Sequence, residues 1–588
     1  MLPKPIKDEY RRNTSISGET NVPVPMRDGT VLYADVYRPA GGGRHPVLLH
    51  RLPYGKHKPR YRSMYLDFVR AVNRGYVVVF QDVRGRHTSE GEFYPYLNEP
   101  KDGFDTVEWC AAQPWSDGNV GMFGLSYHGA TQWLAAVERP PSLKAIVPGV
   151  TSDSYYDSWT YLGGAFQLFW ISGWAAAFAL DNIGRDPGDS PEAIAALRQL
   201  VKDPHALSRH LPLGDMPAFK GLSDFYYDWM DHATYDDYWK KLDPTTRFDQ
   251  VEVPALNVGG WFDGFIRGTI RCYEGVRERG ATELARSQQH LIIGPWQHGP
   301  WLYPYSGQGY FGGAASGDAV DQHGMQLAWF DRWLRGEDNG VDTDPNTYIF
   351  VMGENAWRSE EAWPPPSVRT ETYFLRSEGR ANTLNGDGRL SLDPPRSQEP
   401  PDRYLYNPLD PVATMGGAHL SGIPSVFETG VQDQRSIESR ADVLVYTSDP
   451  LKRDTEVTGH VRLTLWAATS APDTDWTAKL VDVHPDGSAL SVCDGILRAG
   501  YRDSLEHTSP VQADQPNAYD IDVGPISMLF RKGHCIRLEV SSSNFPAYAR
   551  NLNTGGAHHL ESEPRPAIQT VLHDPDYPSH LALPVVPR

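Results

Sequence analysis

The chain has 588 residues, 40% hydrophobic and 22% charged, with 74 acidic against 55 basic side chains for a formal net charge of −19. This balance excludes a fibrous or extensively disordered protein, and the acidic surplus repels a phosphate backbone. The length exceeds the roughly 250–300 residues at which a single core stops growing, so two or three units with no nucleic-acid partner are expected.

The first twenty residues carry basic side chains but no apolar stretch after them, and no apolar run approaches the ~20 residues of a membrane span. The expectation is a cytoplasmic chain with no membrane partner. Cys110, Cys272, Cys493 and Cys535 are scattered and form no CxxC pair, which points to free, mostly buried thiols rather than a disulfide framework or a zinc site.

From about residue 20 to 150, short apolar runs alternate with helix-like segments, as in "HPVLLH", "YVVVFQDVRG", "DGFDTVEWCAAQ" and "NVGMFGLS". Tyr76 to Phe80 is apolar without alternation, as in strands covered on both faces, so an α/β unit with a largely parallel sheet is predicted. Residues 151–245 break this rhythm with the aromatic run "SYYDSWTYLGGAFQLFWISGW", a helix starting at Ser190-Pro191, and "LSDFYYDWMDHATYDDYW"; no strand pattern stands out, and a helical insertion is predicted. The α/β pattern resumes over 246–352 with "ALNVGGWFDGF", "HLIIGPWQHG" and a helix at "AVDQHGMQLAWFDRWLRG". Residues 353–588 read as short alternating strands between Pro/Gly/Asp turns, an all-β sandwich of jelly-roll type. There is no internal repeat and no low-complexity tract.

"NVGMFGLSYHGATQWLAAVE" holds a serine between Gly124 and Gly129, a Gly-x-Ser-x-x-Gly stretch one residue longer than the Gly-x-Ser-x-Gly elbow, between a strand and a helix, the context in which Ser126 would project above the sheet as a nucleophile. The alternative is a serine at a glycine-rich turn. A serine hydroxyl needs an imidazole base, and that base a carboxylate to orient it. Asp263 and His298 each follow a predicted strand, in the chain order Ser126, Asp263, His298. Singly, Asp263 reads as a turn aspartate and His298 as one of 20 histidines; jointly with Ser126 they make a catalytic set. The oxyanion of an acyl-transfer intermediate needs two donors. The backbone N–H of Tyr127 follows the nucleophile, and the loop "RLPYGKHK" offers Tyr54 as a phenolic donor or a packing tyrosine. No HExxH, Walker A loop or dinucleotide GxGxxG is present, so no cofactor is expected.

The ordered motifs "RLPYGK", "QDVRGRHTSEGEF", "WSDGNVGMFGLSYHG", "GGWFDGF", "GPWQHG", "TDWTAKLVDVHPDG" and "SSSNFPAYARNLNTGG" run through nearly the whole chain. With them the chain closely resembles the family of the bacterial cocaine esterases, the α-amino-acid ester hydrolases and the X-Pro dipeptidyl-peptidases. The resemblance implies an α/β-hydrolase domain with an inserted helical cap and a C-terminal jelly roll. It implies Ser126, Asp263 and His298 as triad, Tyr54 and the Tyr127 amide as oxyanion hole, and Trp159, Trp174 and Phe265 as walls of an acyl pocket.

The chain departs from the family's cocaine esterases at His128, where they carry an aliphatic residue, and in the loop Met415–Gly422, which stands in place of a bulkier apolar pair. His128 either packs against the cap or touches the substrate and oxyanion hole. Asp82 and Arg84 read as an ion pair fixing a loop. The expected function is hydrolysis of small carboxylic esters, with an aromatic or apolar acyl group, through an acyl-enzyme. The alternative within the family is an amide-bond hydrolase (acylase, X-Pro dipeptidyl-peptidase or α-amino-acid ester hydrolase). A binding protein with a vestigial hydrolase domain would lack a triad member, and none is missing. A homo-oligomer stays open.

Overall fold

A computed structural model describes residues 15–183, 190–299, 301, 303–420 and 426–588. The reading of the first fourteen residues, and Ser421 and Gly422 of the loop named above, lie outside the described residues.

The α/β unit is built on a ten-stranded sheet in the order Ile16–Pro25, Val31–Pro39, Val77–Asp82, His45–Leu52, Ser116–Leu125, Leu143–Gly149, Ala255–Phe262, Gln289–Gln297, Thr347–Val351, Ala356–Glu360. The seven strands from Val77–Asp82 to Thr347–Val351 pair in parallel, and the flanking strands are antiparallel. Successive side chains of the inner strands enter different cores. Val47, Leu49, Val77 and Val79 pack on one face, and Leu48, Val78 and Phe80 on the other. That double burial is why these strands read as unbroken apolar runs. The last strand, Ala356–Glu360, pairs Trp357 with Phe350, so the sheet runs past the expected boundary at residue 352. The sequence pattern missed this edge strand because all five of its residues are half-buried.

The insertion is helical as expected, with Leu168–Asn182, Pro191–Lys202, His205–Arg209, Phe225–Asp231 and Asp237–Leu242 as its helices. Ser190 caps its helix by accepting from the N–H of Ala193 at 3.2 Å. A hairpin of Tyr161–Leu162 and Ala165–Phe166 departs from the all-helical expectation; two-residue strands are too short to show a period of two. The aromatic residues of the cap form one core with Tyr127 and Phe265 of the α/β unit.

Beyond residue 360 the described chain is built on β-strands, with one short helix at Arg435–Glu438 and a 3-10 turn at Ala499–Tyr501. The long strand Thr455–Thr469 pairs with Asn517–Phe530 on one side and with Ala567–Leu572 and His580–Val586 on the other. This domain closes on the other two. Arg267 donates to the carbonyl of Asp494 at 2.8 Å, and Tyr501 donates to that of Ala233 at 2.7 Å. Asp82 and Arg84 do not pair with each other. Arg84 binds Asp102 at 2.6 Å and Asp28 at 2.9 Å, whereas Asp82 accepts from the amide of Lys56 at 2.7 Å. Asp82 ends the strand and is held by the amide of Lys56 and the hydroxyl of Thr88, whereas Arg84 lies past the strand end and reaches Asp102 and Asp28, so each charge finds its own partner.

Candidate active site

The turn between Ser116–Leu125 and the helix Tyr127–Ala136 forces Ser126 to φ 60°, ψ −128°, a conformation costly for a residue with a Cβ. Its amide donates to the carbonyl of Gly149 at 2.9 Å, and its own carbonyl accepts from Gly129 and Ala130. Both flanking glycines are required by contact. A Cβ at Gly124 (φ +136°) would lie 2.6 Å from Cβ of His128, and one at Gly129 would lie 2.8 Å from Cβ of Thr151. As the first residue of its helix, Tyr127 has an N–H with no intrahelical acceptor. Its phenol is tied down, donating to Glu99 at 2.9 Å and accepting from the amide of Tyr96 at 3.0 Å.

Asp263 follows the strand Ala255–Phe262 and is fully buried. One carboxylate oxygen accepts from the amide of Phe265 at 2.7 Å, and the other lies 2.6 Å from Nδ1 of His298. A carboxylate only accepts, so Nδ1 carries the proton and Nε2 is left as the basic nitrogen. His298 follows the neighbouring parallel strand, where Phe262 pairs with Gln297. Its ring meets the edge of Phe265 at 5.3 Å and lies 6.4 Å from Trp170. Ser126, Asp263 and His298 thus all follow the C-terminal ends of parallel strands, the position at which open α/β sheets gather their ligands.

Tyr54 follows the strand His45–Leu52, and its hydroxyl accepts from Nε1 of Trp174 at 3.0 Å. With that lone pair occupied, the phenolic proton is free for another acceptor. Burial pushes the phenol's pKa well up, keeping it a neutral donor. Trp159 stacks on Phe265 at 4.1 Å with the rings 8° from parallel, and Trp170 and Trp174 pack edgewise around them. Leu420 lies against Gly264, where a Cβ would meet its Cγ at 2.9 Å, so the β-domain loop brings apolar bulk to this wall.

All three residues that carry the proposed chemistry lie in the segment, residues 28–300, that matches the X-Pro dipeptidyl-peptidase (S15 family) model; residues 339–582 match the C-terminal non-catalytic domain of the same peptidases. The chain is 40% identical over 582 residues to cocaine esterase of Rhodococcus sp. (strain MB1 Bresler), covering 97% of this chain and 98% of that one. The chain belongs to the cocaine esterase/X-Pro dipeptidyl-peptidase (S15) family. Among solved structures, an aminopeptidase from a marine sediment Thaumarchaeota archaeon superposes with a TM-score of 0.81 at 25% identity, covering 100% of this chain and 98% of that one. An α-amino acid ester hydrolase superposes at 0.78 and 26%, covering 99% and 98%. Membership of this family makes the protein a serine hydrolase.

Against that family background, His128 is 1% exposed, and its surroundings are those of a floor beneath the site. Its Nδ1 hydrogen-bonds Nε2 of His50, and the rings of Tyr54, Tyr61 and Tyr65 enclose it at 5.3–5.4 Å. His128 thus lies directly against the ring of Tyr54. Burial drives both imidazoles down, His50 to about 3 and His128 well below the ordinary range, so the pair is neutral. Sequence reasoning missed His50 and Trp170. A histidine inside the buried run "HPVLLHRL" was the available signal for the first. Trp170 had none, since its role depends on which side of the Leu168–Asn182 helix meets His298.

Proposed function

We propose that the protein is a serine carboxylesterase in which Ser126 attacks the ester carbonyl and His298 takes the serine proton on Nε2 and returns it to the departing alcohol. Asp263 holds the imidazole in the required tautomer and stabilises its charged form. The oxyanion is held by the Tyr127 amide and the Tyr54 phenol, each such donor contributing roughly 3–4 kcal/mol to transition-state binding. Water then releases the acyl-enzyme by the same route in reverse.

The single observation that carries this reading is the 2.6 Å contact of His298 with the buried Asp263, at the same sheet edge as the strained serine turn, with one strand between. The aromatic wall of Trp159, Phe265, Trp170 and Trp174 supports an apolar or aromatic acyl group. A chromogenic ester should give a pre-steady-state burst of alcohol equal to the enzyme present. Ser126→Ala should abolish both the burst and labelling by a fluorophosphonate, with turnover reduced by roughly 10⁴-fold or more. Undiminished turnover in that variant would exclude the assignment.

The peptidase and α-amino-acid ester hydrolase relatives favour comparing matched ester and amide substrates by kcat/KM; an excess for the amide would move the protein to the peptidase side of its family. Two further parts of the reading are a jelly-roll arrangement of the β-domain, supported by the three-partner strand Thr455–Thr469, and a cytoplasmic location. The location is supported by four unpaired cysteines. Among the described residues no helix is long and apolar enough to cross a membrane.

A further inference from the structure

Far from Ser126 in sequence, two turns of the β-domain bring two imidazoles onto one carboxylate. Asp482, near the end of the strand Asp475–Val483, is 2% exposed. His484 sits in the following turn, closed by its amide on the carbonyl of Ser488 at 2.8 Å. His534 ends the turn before Cys535–Ser541, the strand on which Ile536 pairs with Asp482. Nδ1 of His534 lies 2.9 and 3.1 Å from the two oxygens of Asp482, and Nε2 of His484 lies 3.2 Å from the second. One donor atom from each residue falls within 4.8 Å of the other two. Among the described residues Asp482 makes no ion pair with a lysine or arginine, so its buried charge is answered only by these two rings.

We propose that Asp482, His484 and His534 form a binding site for one divalent first-row transition metal ion of the zinc type. Donors 2.0–2.2 Å from a tetrahedral ion stand about 3.3–3.6 Å apart, within a few tenths of an ångström of the 3.1 and 3.2 Å separations from Oδ2 of Asp482 to the two ring nitrogens. Two neutral imidazoles and one carboxylate suit zinc, cobalt or nickel and not magnesium or calcium, which take oxygen donors. Metal binding would exchange the two imidazole–carboxylate contacts for three metal bonds and leave a coordination position open. The three residues border a cavity of about 310 Å³ walled by Phe262, Phe311, Met352, Val431 and Met528, which gives that position room for water or a small ligand. Arg531, on the same rim, is engaged by the carbonyl of Gly353 at 2.7 Å and by Asp454 at 3.2 Å. Phe262 immediately precedes Asp263, so the cavity backs onto the strand end that carries the carboxylate of the proposed triad.

The test is titration of the full-length, chelator-treated protein with cobalt chloride, read by ligand-field absorption, and with zinc chloride, read by calorimetry. One ion per chain is expected, with intense bands from a four- or five-coordinate cobalt centre. Asp482→Asn and His484→Gln should each weaken binding by more than the roughly 10- to 100-fold that loss of an outer partner costs. The exposed His205→Gln should bind as the parent does. His484 is one-third exposed, so its variant tests the site even if Asp482→Asn fails to fold. Absence of the cobalt bands, or unchanged zinc affinity in His484→Gln, would overturn the proposal and leave the three groups as a hydrogen-bonded clasp.

Discussion

His298 and His128 are both set close to the Ser126 turn, yet they stand in opposite surroundings. His298 reaches the site from a strand end with Asp263 behind it, its second nitrogen without a hydrogen bond among the described residues and its side chain 23% exposed. His128 lies on the helix Tyr127–Ala136 that follows Ser126, enclosed by three tyrosines and bonded to a second imidazole. A carboxylate behind an imidazole accepts from one ring nitrogen and so fixes the tautomer. Another imidazole in an apolar box brings no charge to offset burial, so desolvation keeps the ring neutral. What a histidine does here is set by the group facing its other nitrogen, and not by its distance along the chain from the serine.

The sharpest way to break this comparison is Asp263→Asn, which leaves the shape of the His298 side intact but reverses the tautomer; kcat should fall by roughly 10⁴-fold. A loss under tenfold would mean that His298 does not depend on its carboxylate. Next in size, Tyr54→Phe should lower kcat by roughly 100- to 1,000-fold with little change in KM, because the lost hydrogen bond belongs to the transition state. Trp174→Phe keeps the wall and removes only the donor that aligns the Tyr54 hydroxyl, and a smaller loss of about tenfold in kcat is expected.

The smallest effect belongs to the floor and is read in stability. The folded-state pKa values of His50 and His128 are depressed below the unfolded value near 6.5, so their stabilising contribution is present above that pH. It is lost as pH falls, at ~1.4 kcal/mol per pH unit for each buried neutral ring, down toward about 3 for His50. A His50→Phe/His128→Leu double variant should therefore show a shallower decline in unfolding free energy between about pH 6 and pH 4. An unchanged slope would show that the two rings become charged without cost.

Much of the site was legible because its logic is local. Gly124, Ser126 and Gly129 carry the turn in a single stretch, and Asp263 and His298 each stand just past an apolar run that could only be a covered strand. The cap was legible as a break in rhythm, though its short hairpin was not. The ion-pair expectation for Asp82 and Arg84 failed because each finds a nearer partner from another segment, Lys56 for Asp82 and Asp102 with Asp28 for Arg84, and the sheet's last strand was missed because a half-buried edge carries no clear period.

By itself, then, the sequence determined the α/β, helical and β zones, the serine turn, and the residue types able to complete it, because strand burial, turn geometry and nucleophile activation each leave a local pattern. Only the tertiary structure decided the pairings across chain distance: Trp174 with Tyr54, His50 with His128, Trp170 with His298, and Asp482 with His484 and His534. Those depend on which faces of separate elements meet. A hydrogen bond or a desolvation penalty exists only once packing has brought the two groups together and excluded water from between them.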